Sequence, residues 1–402
     1  YCGQISEDEL EYFKQAGNND YASGDIVGKT GIEKSFEEEL QGKKGRQTVY
    51  VDSLGNILEV ADRVEPTQGN NLYLTLDKDY QTKAYDLLEE EIAGIVLQKL
   101  SDSKEGRIDI NDVYFAFIKN GIIDLDHMAQ KDASDLEKTV YGMYTAHEGS
   151  KFDIIRHLLD GTNKNSYNGC SEEEREYIEL IENIITNNGI LDTSRLSSDD
   201  EDSQKWATGN ISLYEYLHYA VGKDAVSVSA LDISNTFLSS DEIYAALAEY
   251  ILLDLEENKS FSKIVYESML NQGIINGSQI CQLLYEQNVL EKDADYEGLV
   301  TGALDPYAFV YNKIKNLEIT PDMLALDPCS GSLVATDPKT GEVLALVSYP
   351  SYDANRIGDS DYYRYLLENE SLPLYNRATM QKTAPGSTFK MLTAAAGLEE
   401  GV

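Results

Sequence analysis

A serine and a lysine late in the sequence have the types and the spacing that suit acyl transfer. Both lie in Pro385-Gly386-Ser387-Thr388-Phe389-Lys390, and a helix beginning here would place Ser387 and Lys390 on one face, one turn apart. The helix dipole and the serine backbone N–H both favour a developing oxyanion. A lysine can act as the base where burial or a neighbouring cation lowers its pKa. We therefore predict that Ser387 is an acylatable nucleophile and that Lys390 activates it.

Other chemical motifs in the sequence are incomplete. Ser-x-x-Lys also occurs at Ser101–Lys104 and Ser260–Lys263, but both copies lack the Pro-Gly entry and are interpreted as chance matches. Gly24–Thr30 is one residue short of a phosphate-binding loop, and no apolar strand precedes it. The four histidines form no His-Glu-x-x-His, and Leu304 stands where a calcium loop opening at Asp293 needs a glutamate. We expect no cofactor and no metal site.

The composition is that of an acidic chain with several domains. Its 402 residues allow about two to three domains, and 71 Asp plus Glu against 33 Lys plus Arg give a net charge of -38. Because so acidic a surface repels phosphate groups, nucleic acid is not expected as a partner. The sequence shows neither a long apolar run nor a signal peptide. Four cysteines without paired spacing are interpreted as isolated thiols.

Periodicity predicts helices and strands mixed in the first hundred residues. The expected elements are a capped helix from Ser6 to about Gln15, a helix ending near Leu40, a hairpin of Thr48–Val51 and Asn56–Val60 around 52–55, a strand at Leu72–Leu76, and a helix from Lys78 to about Leu100. The fold class expected for the whole chain is α+β.

The two later parts of the sequence differ from the first and from each other. Residues 101–322 are expected to be all-helical, with glycines at 121, 189 and 273 each ending a helix before Ile-Ile or Ile-Leu and then Asp or Asn. Residues 323–402 begin with a predicted hairpin whose turn is Pro338–Gly341. They end with a predicted buried helix from Thr388 to Leu398.

Three segments, taken in order, resemble the class B penicillin-binding proteins, which are monofunctional peptidoglycan transpeptidases. Gly24–Glu33 with Leu40–Gly45 resembles the non-catalytic pedestal, or dimerisation domain, of the family. Asp337–Ala345 with Ser348–Asp353 resembles the first hairpin of the transpeptidase domain, and Asn376–Lys390 resembles the approach to the nucleophile helix. Because the three segments occur in the same order as in the family, together they are more specific evidence for the resemblance than any single motif.

The resemblance implies a domain plan and an activity. It implies a pedestal and linking helix at 1–100, a helical insertion at 101–322 that the family does not explain, and the start of the α/β transpeptidase domain at 323–402. Ser387, activated by Lys390, would attack a stem peptide of peptidoglycan, and β-lactams would acylate the same serine. In the family, Ser-x-Asn and the catalytic Lys-Thr-Gly follow the nucleophile, whereas Lys29–Gly31 and Lys339–Gly341 precede it. We therefore expect both domains to be truncated and this chain alone to be inactive.

The resemblance also implies a location and leaves alternatives open. The parent protein would act on the extracytoplasmic face of the bacterial cytoplasmic membrane, held by an N-terminal anchor that this sequence does not contain. One alternative function is a protein-interaction or scaffolding module, in which the pedestal and the insertion bind other cell-wall synthesis proteins. A second alternative is a related β-lactam-sensing protein with an acylatable serine.

Overall fold

A computed structural model of the chain describes residues 1–54, 56–102, 106–231 and 238–401. The strands of these residues are Cys2–Gln4 (β1), Ile26–Gly28 (β2), Arg46–Val51 (β3), Ile57–Val64 (β4), Gly331–Thr336 (β5) and Val343–Tyr349 (β6). The first helices are Glu7–Gln15 (α1), Gly31–Ser35 (α2), Glu37–Leu40 (α3), Lys78–Asp102 (α4), Ile110–Lys119 (α5), Leu125–Met128 (α6), Asp135–Leu159 (α7), Glu172–Asn187 (α8), Glu201–Ala207 (α9) and Leu213–Gly222 (α10).

The later helices are Ser240–Glu256 (α11), Lys259–Asn271 (α12), Gly277–Glu286 (α13), Ala294–Thr301 (α14), Pro306–Lys315 (α15), Pro321–Leu324 (α16), Ser360–Glu368 (α17), Arg377–Met380 (α18) and Phe389–Glu400 (α19). The chain forms two compact units, one of residues 1–89 with 330–402 and one of residues 90–329. With its sheets confined to the first unit, the chain is α+β, as predicted. None of the described helices is both long and apolar enough to cross a membrane.

The start of the first unit is built around a buried carboxylate. β1 and β2 pair antiparallel, with Gly3 opposite Val27. Glu37, which is 9% exposed, accepts hydrogen bonds from the Gly28 backbone N–H at 2.7 Å and from the Tyr21 hydroxyl at 3.1 Å. A side chain at Gly28 would meet the backbone of the helix that follows, so only glycine fits there. The predicted helix after Ser6 is confirmed, and Ser6 caps it.

Two hairpins of the first unit also follow the prediction. β3 pairs antiparallel with β4, although Gly55 of the predicted turn lies outside the described residues. β5 pairs antiparallel with β6, and Gly341 ends their turn with a φ of 77°. The inner face of β6 is buried together with Ala84 of α4. These contacts give the first unit a small second core next to the sheet.

The strand predicted at Leu72–Leu76 is wrong. This stretch is irregular, and it meets β6 only locally. The Thr75 hydroxyl donates to the Val343 carbonyl at 2.7 Å, and the Asp77 backbone N–H donates to the Leu344 carbonyl at 3.0 Å. The alternation of apolar residues predicted a strand here. One side-chain and one backbone hydrogen bond to β6 are too few to pair this stretch with β6 as a strand.

The second unit is an all-helical bundle whose core runs through most of its helices. The three predicted glycine turns are confirmed, because Gly121, Gly189 and Gly273 have φ angles of 69°, 68° and 69°. After Gly121, the backbone N–H of Ile123 donates to the carbonyl of Phe117 at 2.9 Å, and Ile123 is buried. The same left-handed turn recurs at Asn288 and Leu317, where no glycine is present to indicate it.

The place that resembled a calcium loop holds a lysine instead. The Lys313 ammonium, only 4% exposed, lies 2.6 Å from Asp293 and 2.7 Å from Glu318. Burial lowers the pKa of Lys313, but its hydrogen bonds to these two carboxylates outweigh burial and raise the pKa overall. The cation that these acidic side chains need is therefore supplied by the chain itself. The cysteines at 2, 170 and 281 are free thiols, as interpreted.

We predict opposite effects of one added methyl group at two helical glycines of this bundle. A Cβ at Gly277 would lie 2.3 Å from the Tyr114 ring, so Gly277→Ala should cost about 1–3 kcal/mol of unfolding free energy. A Cβ at Gly142 in α7 meets nothing within 4 Å, so Gly142→Ala should gain about 0.5–1 kcal/mol. Urea unfolding followed through Trp206, the single tryptophan, measures both. A stable Gly277→Ala would contradict this packing.

We predict that the stability of the helical unit depends on pH through the carboxyl group of Glu267. Burial on α12, followed by the nearby Glu176, raises the pKa of Glu267 to about 7; Lys119, Asp112 and Glu172 also act on it. Since the folded pKa lies above the unfolded value, stability falls as pH rises through the range from 4.5 to 7. Glu267→Gln should therefore be more stable than the parent by about 1 kcal/mol at pH 8, after allowance for solvent screening, and equal at pH 4.

The control for this experiment is Glu291→Gln, which removes an exposed carboxylate from the same unit. It should leave the pH dependence of unfolding unchanged. If Glu267→Gln and Glu291→Gln have the same pH profile, Glu267 is not the titrating group.

Candidate active site

Ser387 lies in a single 3₁₀ turn, Gly386–Thr388, that leads directly into α19. Gly386 has a φ of 54°, and the Thr388 hydroxyl donates to the carbonyl of Pro385. The Pro-Gly entry thus bends the chain sharply before the helix begins. α19 begins at Phe389, one residue later than the predicted start at Thr388. Ser387 therefore lies before the first regular turn of the helix.

Ser387 and Lys390 are both exposed. In the part of the chain that the structure describes, neither side chain has a hydrogen-bond or ion-pair partner. The structure therefore brings the two residues onto adjacent turns without forming the base–nucleophile contact, and their joint role stays a prediction. Lys390 lacks the buried surroundings that a lysine base requires.

The predicted helix after Thr388 is confirmed as α19, but the prediction that it is buried is wrong. Its apolar side chains Phe389, Met391, Leu392 and Leu398 are 53%, 74%, 63% and 81% exposed. Their composition is that of a core helix, and nothing in the described residues forms a layer over them. The composition of this segment predicted a helix, but it does not show whether another segment packs over the apolar side chains of that helix.

The segment before the candidate nucleophile is tightly held. Arg377, only 8% exposed, donates to the carbonyl of Ser371 at 2.5 Å and to that of Leu372 at 2.9 Å. The Ser348 hydroxyl of β6 lies 3.2 Å from the Asn376 side-chain oxygen and accepts from the Ala378 backbone N–H at 3.0 Å. Ser348 therefore fixes α18 against β6, and Arg377 fixes α18 to the loop of residues 371–372. Sequence reasoning assigned neither residue a role, although both lie in the segments that carry the resemblance.

The remaining motif copies have structural roles. The Lys339 and Thr340 backbone N–H groups donate to Asp337 and form the β5–β6 turn. Lys263 donates to the carbonyl of Lys119 at 2.7 Å, inside the helical unit. Lys29 pairs with Glu9. The last two residues of the copy Ser101–Lys104 lie outside the described residues.

The two ends of the chain match known protein families. Residues 1–74 match the penicillin-binding protein dimerisation domain, and residues 331–402 match the penicillin-binding protein transpeptidase domain. The first matched segment contains Lys29-Thr30-Gly31, and the second contains Ser387 and Lys390. No solved structure matches the chain.

Curated relatives are similar over short stretches. Peptidoglycan D,D-transpeptidase PbpA of Mycolicibacterium smegmatis is 45% identical over 80 residues, which are 18% of this chain and 16% of the relative. Peptidoglycan D,D-transpeptidase MrdA of Acinetobacter baumannii is 40% identical over 96 residues, 24% of this chain and 14% of the relative. MrdA of Escherichia coli is 49% identical over 74 residues, 18% of this chain and 12% of the relative. The chain therefore spans about a sixth or less of these relatives.

We predict that Arg377 holds the approach to Ser387 in place. Arg377→Met removes the donors of the Ser371 and Leu372 carbonyls, and the buried Ser371 then has an unpaired oxygen. Amide hydrogen exchange in residues 369–380 should speed up roughly 10-fold, the equivalent of about 1.4 kcal/mol. Arg356→Met, which removes an exposed arginine from the same unit, is the matched control and should leave this segment unchanged. Equal exchange in both variants contradicts the assignment.

Proposed function

We propose that this chain is part of a peptidoglycan D,D-transpeptidase of the class B penicillin-binding proteins, because residues 1–74 and 331–402 match the dimerisation and transpeptidase domains of penicillin-binding proteins. The observation that carries this proposal is the position of Ser387-Thr388-Phe389-Lys390 inside the transpeptidase match, at the entry to α19. The relatives named peptidoglycan D,D-transpeptidases support the same reaction class.

In the proposed reaction, the Ser387 hydroxyl oxygen attacks the carbonyl of the penultimate D-alanine in a stem peptide, and Lys390 takes the hydroxyl proton. The bond to the terminal D-alanine breaks, that residue leaves as an amine carrying the proton, and an ester to Ser387 remains. The amine of a neighbouring stem peptide then attacks the ester and restores the serine. A β-lactam would follow the first step only, because its opened ring stays attached.

The helix geometry supports Ser387 as the acylated group. The N-terminal end of a helix carries the positive end of the helix dipole, which stabilises negative charge on a carbonyl oxygen nearby. Ser387 lies at this end of α19, and its hydroxyl is exposed to a substrate. Lys390 follows one turn later, at the same end of α19.

We propose the domain plan of 1–100, 101–322 and 323–402 for this chain. It is supported by the compact helical unit of residues 90–329, which lies in sequence between the two family matches. We also propose that the protein acts outside the cytoplasmic membrane of a bacterium, because peptidoglycan is the substrate that its relatives' names give. Stem peptides and β-lactams are the proposed ligands.

The test uses protein expressed from the complete gene and a fluorescent penicillin. Ser387→Ala should abolish covalent labelling, and Lys390→Gln should slow it about 100-fold or more, because the serine loses its base. Both residues are exposed, so neither change should affect folding. Ser360→Ala, which changes an exposed serine of the same unit, should label at the parent rate.

One outcome would contradict the proposal, and another would show that the assay does not test it. Labelling of Ser387→Ala at the parent rate would place the acylated group elsewhere. Loss of labelling in Ser360→Ala would show that the assay reports folding and not nucleophile chemistry.

A further inference from the structure

A buried histidine nitrogen lies close to the charge pair that ties three helices of the helical unit together. His147 is on α7, and its Nε2 atom is buried and has no hydrogen-bond partner among the described residues. Buried polar atoms in proteins ordinarily have a partner, and a buried charge without one is strongly unfavourable. A proton bound at this nitrogen would find neither water nor an acceptor.

The neighbouring charge pair joins α7 to α8 and α12. Lys151, which follows His147 by one turn of α7 and is only 3% exposed, lies 2.5 Å from the Glu173 carboxylate of α8. Its ammonium also donates to the Ser268 hydroxyl of α12 at 2.8 Å. Glu173 accepts a further hydrogen bond from Tyr177 at 2.8 Å. One buried cation and one carboxylate therefore balance each other where the three helices meet.

A second positive charge disturbs this balance. Burial has the largest effect on His147 and lowers the pKa of its ring; Lys151 on the same helix lowers it further, whereas Glu173 on α8 raises it. From α12, the cluster includes the neutral hydroxyl of Ser268. A protonated ring would compete with Lys151 for the single carboxylate of Glu173, in surroundings that screen charges poorly.

We propose that His147 is an acid-sensitive switch, whose protonation loosens the junction of α7, α8 and α12 at Lys151 and Glu173. With a neutral ring, the charge pair is intact and the junction is closed. In acid, a proton binds more readily to a conformation in which the ring reaches water, so the open conformation gains population. The switch lies between the two family matches, and it does not depend on Ser387 or on the proposed transpeptidase reaction.

The direction of the pKa shift gives the sign and the range of the effect. Because the folded pKa of His147 lies below its ordinary 6.5, the open state binds more protons below pH 6.5. The stability of the junction therefore falls as the pH decreases from 6.5 through the folded pKa. Glu267 on α12 has the opposite effect, since its raised pKa of about 7 stabilises the fold as the pH falls. The experiment uses Glu267→Gln as the parent, so that this opposing titration is absent.

The test measures amide hydrogen exchange of the whole chain with Glu267→Gln at neutral pH and one to two pH units below it. Protection factors remove the direct effect of pH on exchange. In residues 144–155 and 172–178, they should fall at least about 3-fold on acidification. Adding His147→Gln, whose side chain takes up no proton in this range, should abolish the fall. Ring-proton NMR should show that His147 titrates below 6.5.

The matched control is His157→Gln in the same background. His157 is an exposed histidine of the same helix, so its removal should leave the fall in protection unchanged. The NMR titration needs no substitution at His147, and it therefore tests the proposal even if His147→Gln disturbs the packing of α7.

Any of three results overturns the proposal. The first is an equal fall in protection with and without His147→Gln. The second is loss of the fall in His157→Gln. The third is a His147 ring that titrates at 6.5 or above.

Discussion

The helical unit depends on how the ends of its helices are satisfied. Each helix leaves four N–H groups unpaired at its start and four carbonyls at its end, and a bundle of many short helices multiplies these groups. Among the described helices α5–α16, half begin with a reciprocal pair of capping groups, as at Ser134 with Glu137 and Ser171 with Glu174. Many ends are closed by a left-handed residue that turns the next apolar side chain into the core.

The capping of α7 shows why these carboxylates hold more than one helix. Glu137 is 1% exposed, and it accepts from the Ser134 backbone N–H, from Gln287 and, at 2.7 Å, from His127. Burial raises the pKa of Glu137, but these hydrogen bonds outweigh it and bring the pKa down to about 2. The carboxylate is thus charged, buried and fully bonded, and it connects α6, α7 and the end of α13. Acidic residues that composition assigns to a solvated surface can in this way be part of the core.

Local signals predicted much of this structure. The hairpins, the capping of α1 and the three glycine turns follow from residues close together in the chain, so short-range patterns were sufficient. The predictions of a strand at Leu72–Leu76 and of a buried face on α19 were wrong. Strand pairing and burial both depend on which other segment packs opposite, and short-range patterns do not show that. Left-handed turns at Asn288 and Leu317 were missed: asparagine is a common alternative to glycine at such a turn, whereas leucine gives no signal of a positive φ. At the candidate site, type and spacing predicted roles for Ser387 and Lys390 that stay predictions, whereas the role proposed for Arg377 came only from its carbonyl partners in the structure.

Tyrosine has a particular use in a chain with so few cations. With 33 Lys plus Arg for 71 acidic residues, many carboxylates need another donor, and 28 tyrosines are available. Tyr177 donates to Glu173 at 2.8 Å, Tyr219 to Asp200 at 2.8 Å and Tyr285 to Asp293 at 2.7 Å. A phenol is a neutral donor with a large apolar body, so it can enter the core and still pair a carboxylate. Against this pattern, the buried hydroxyl of Tyr266 is an exception, because it has no hydrogen-bond partner among the described residues.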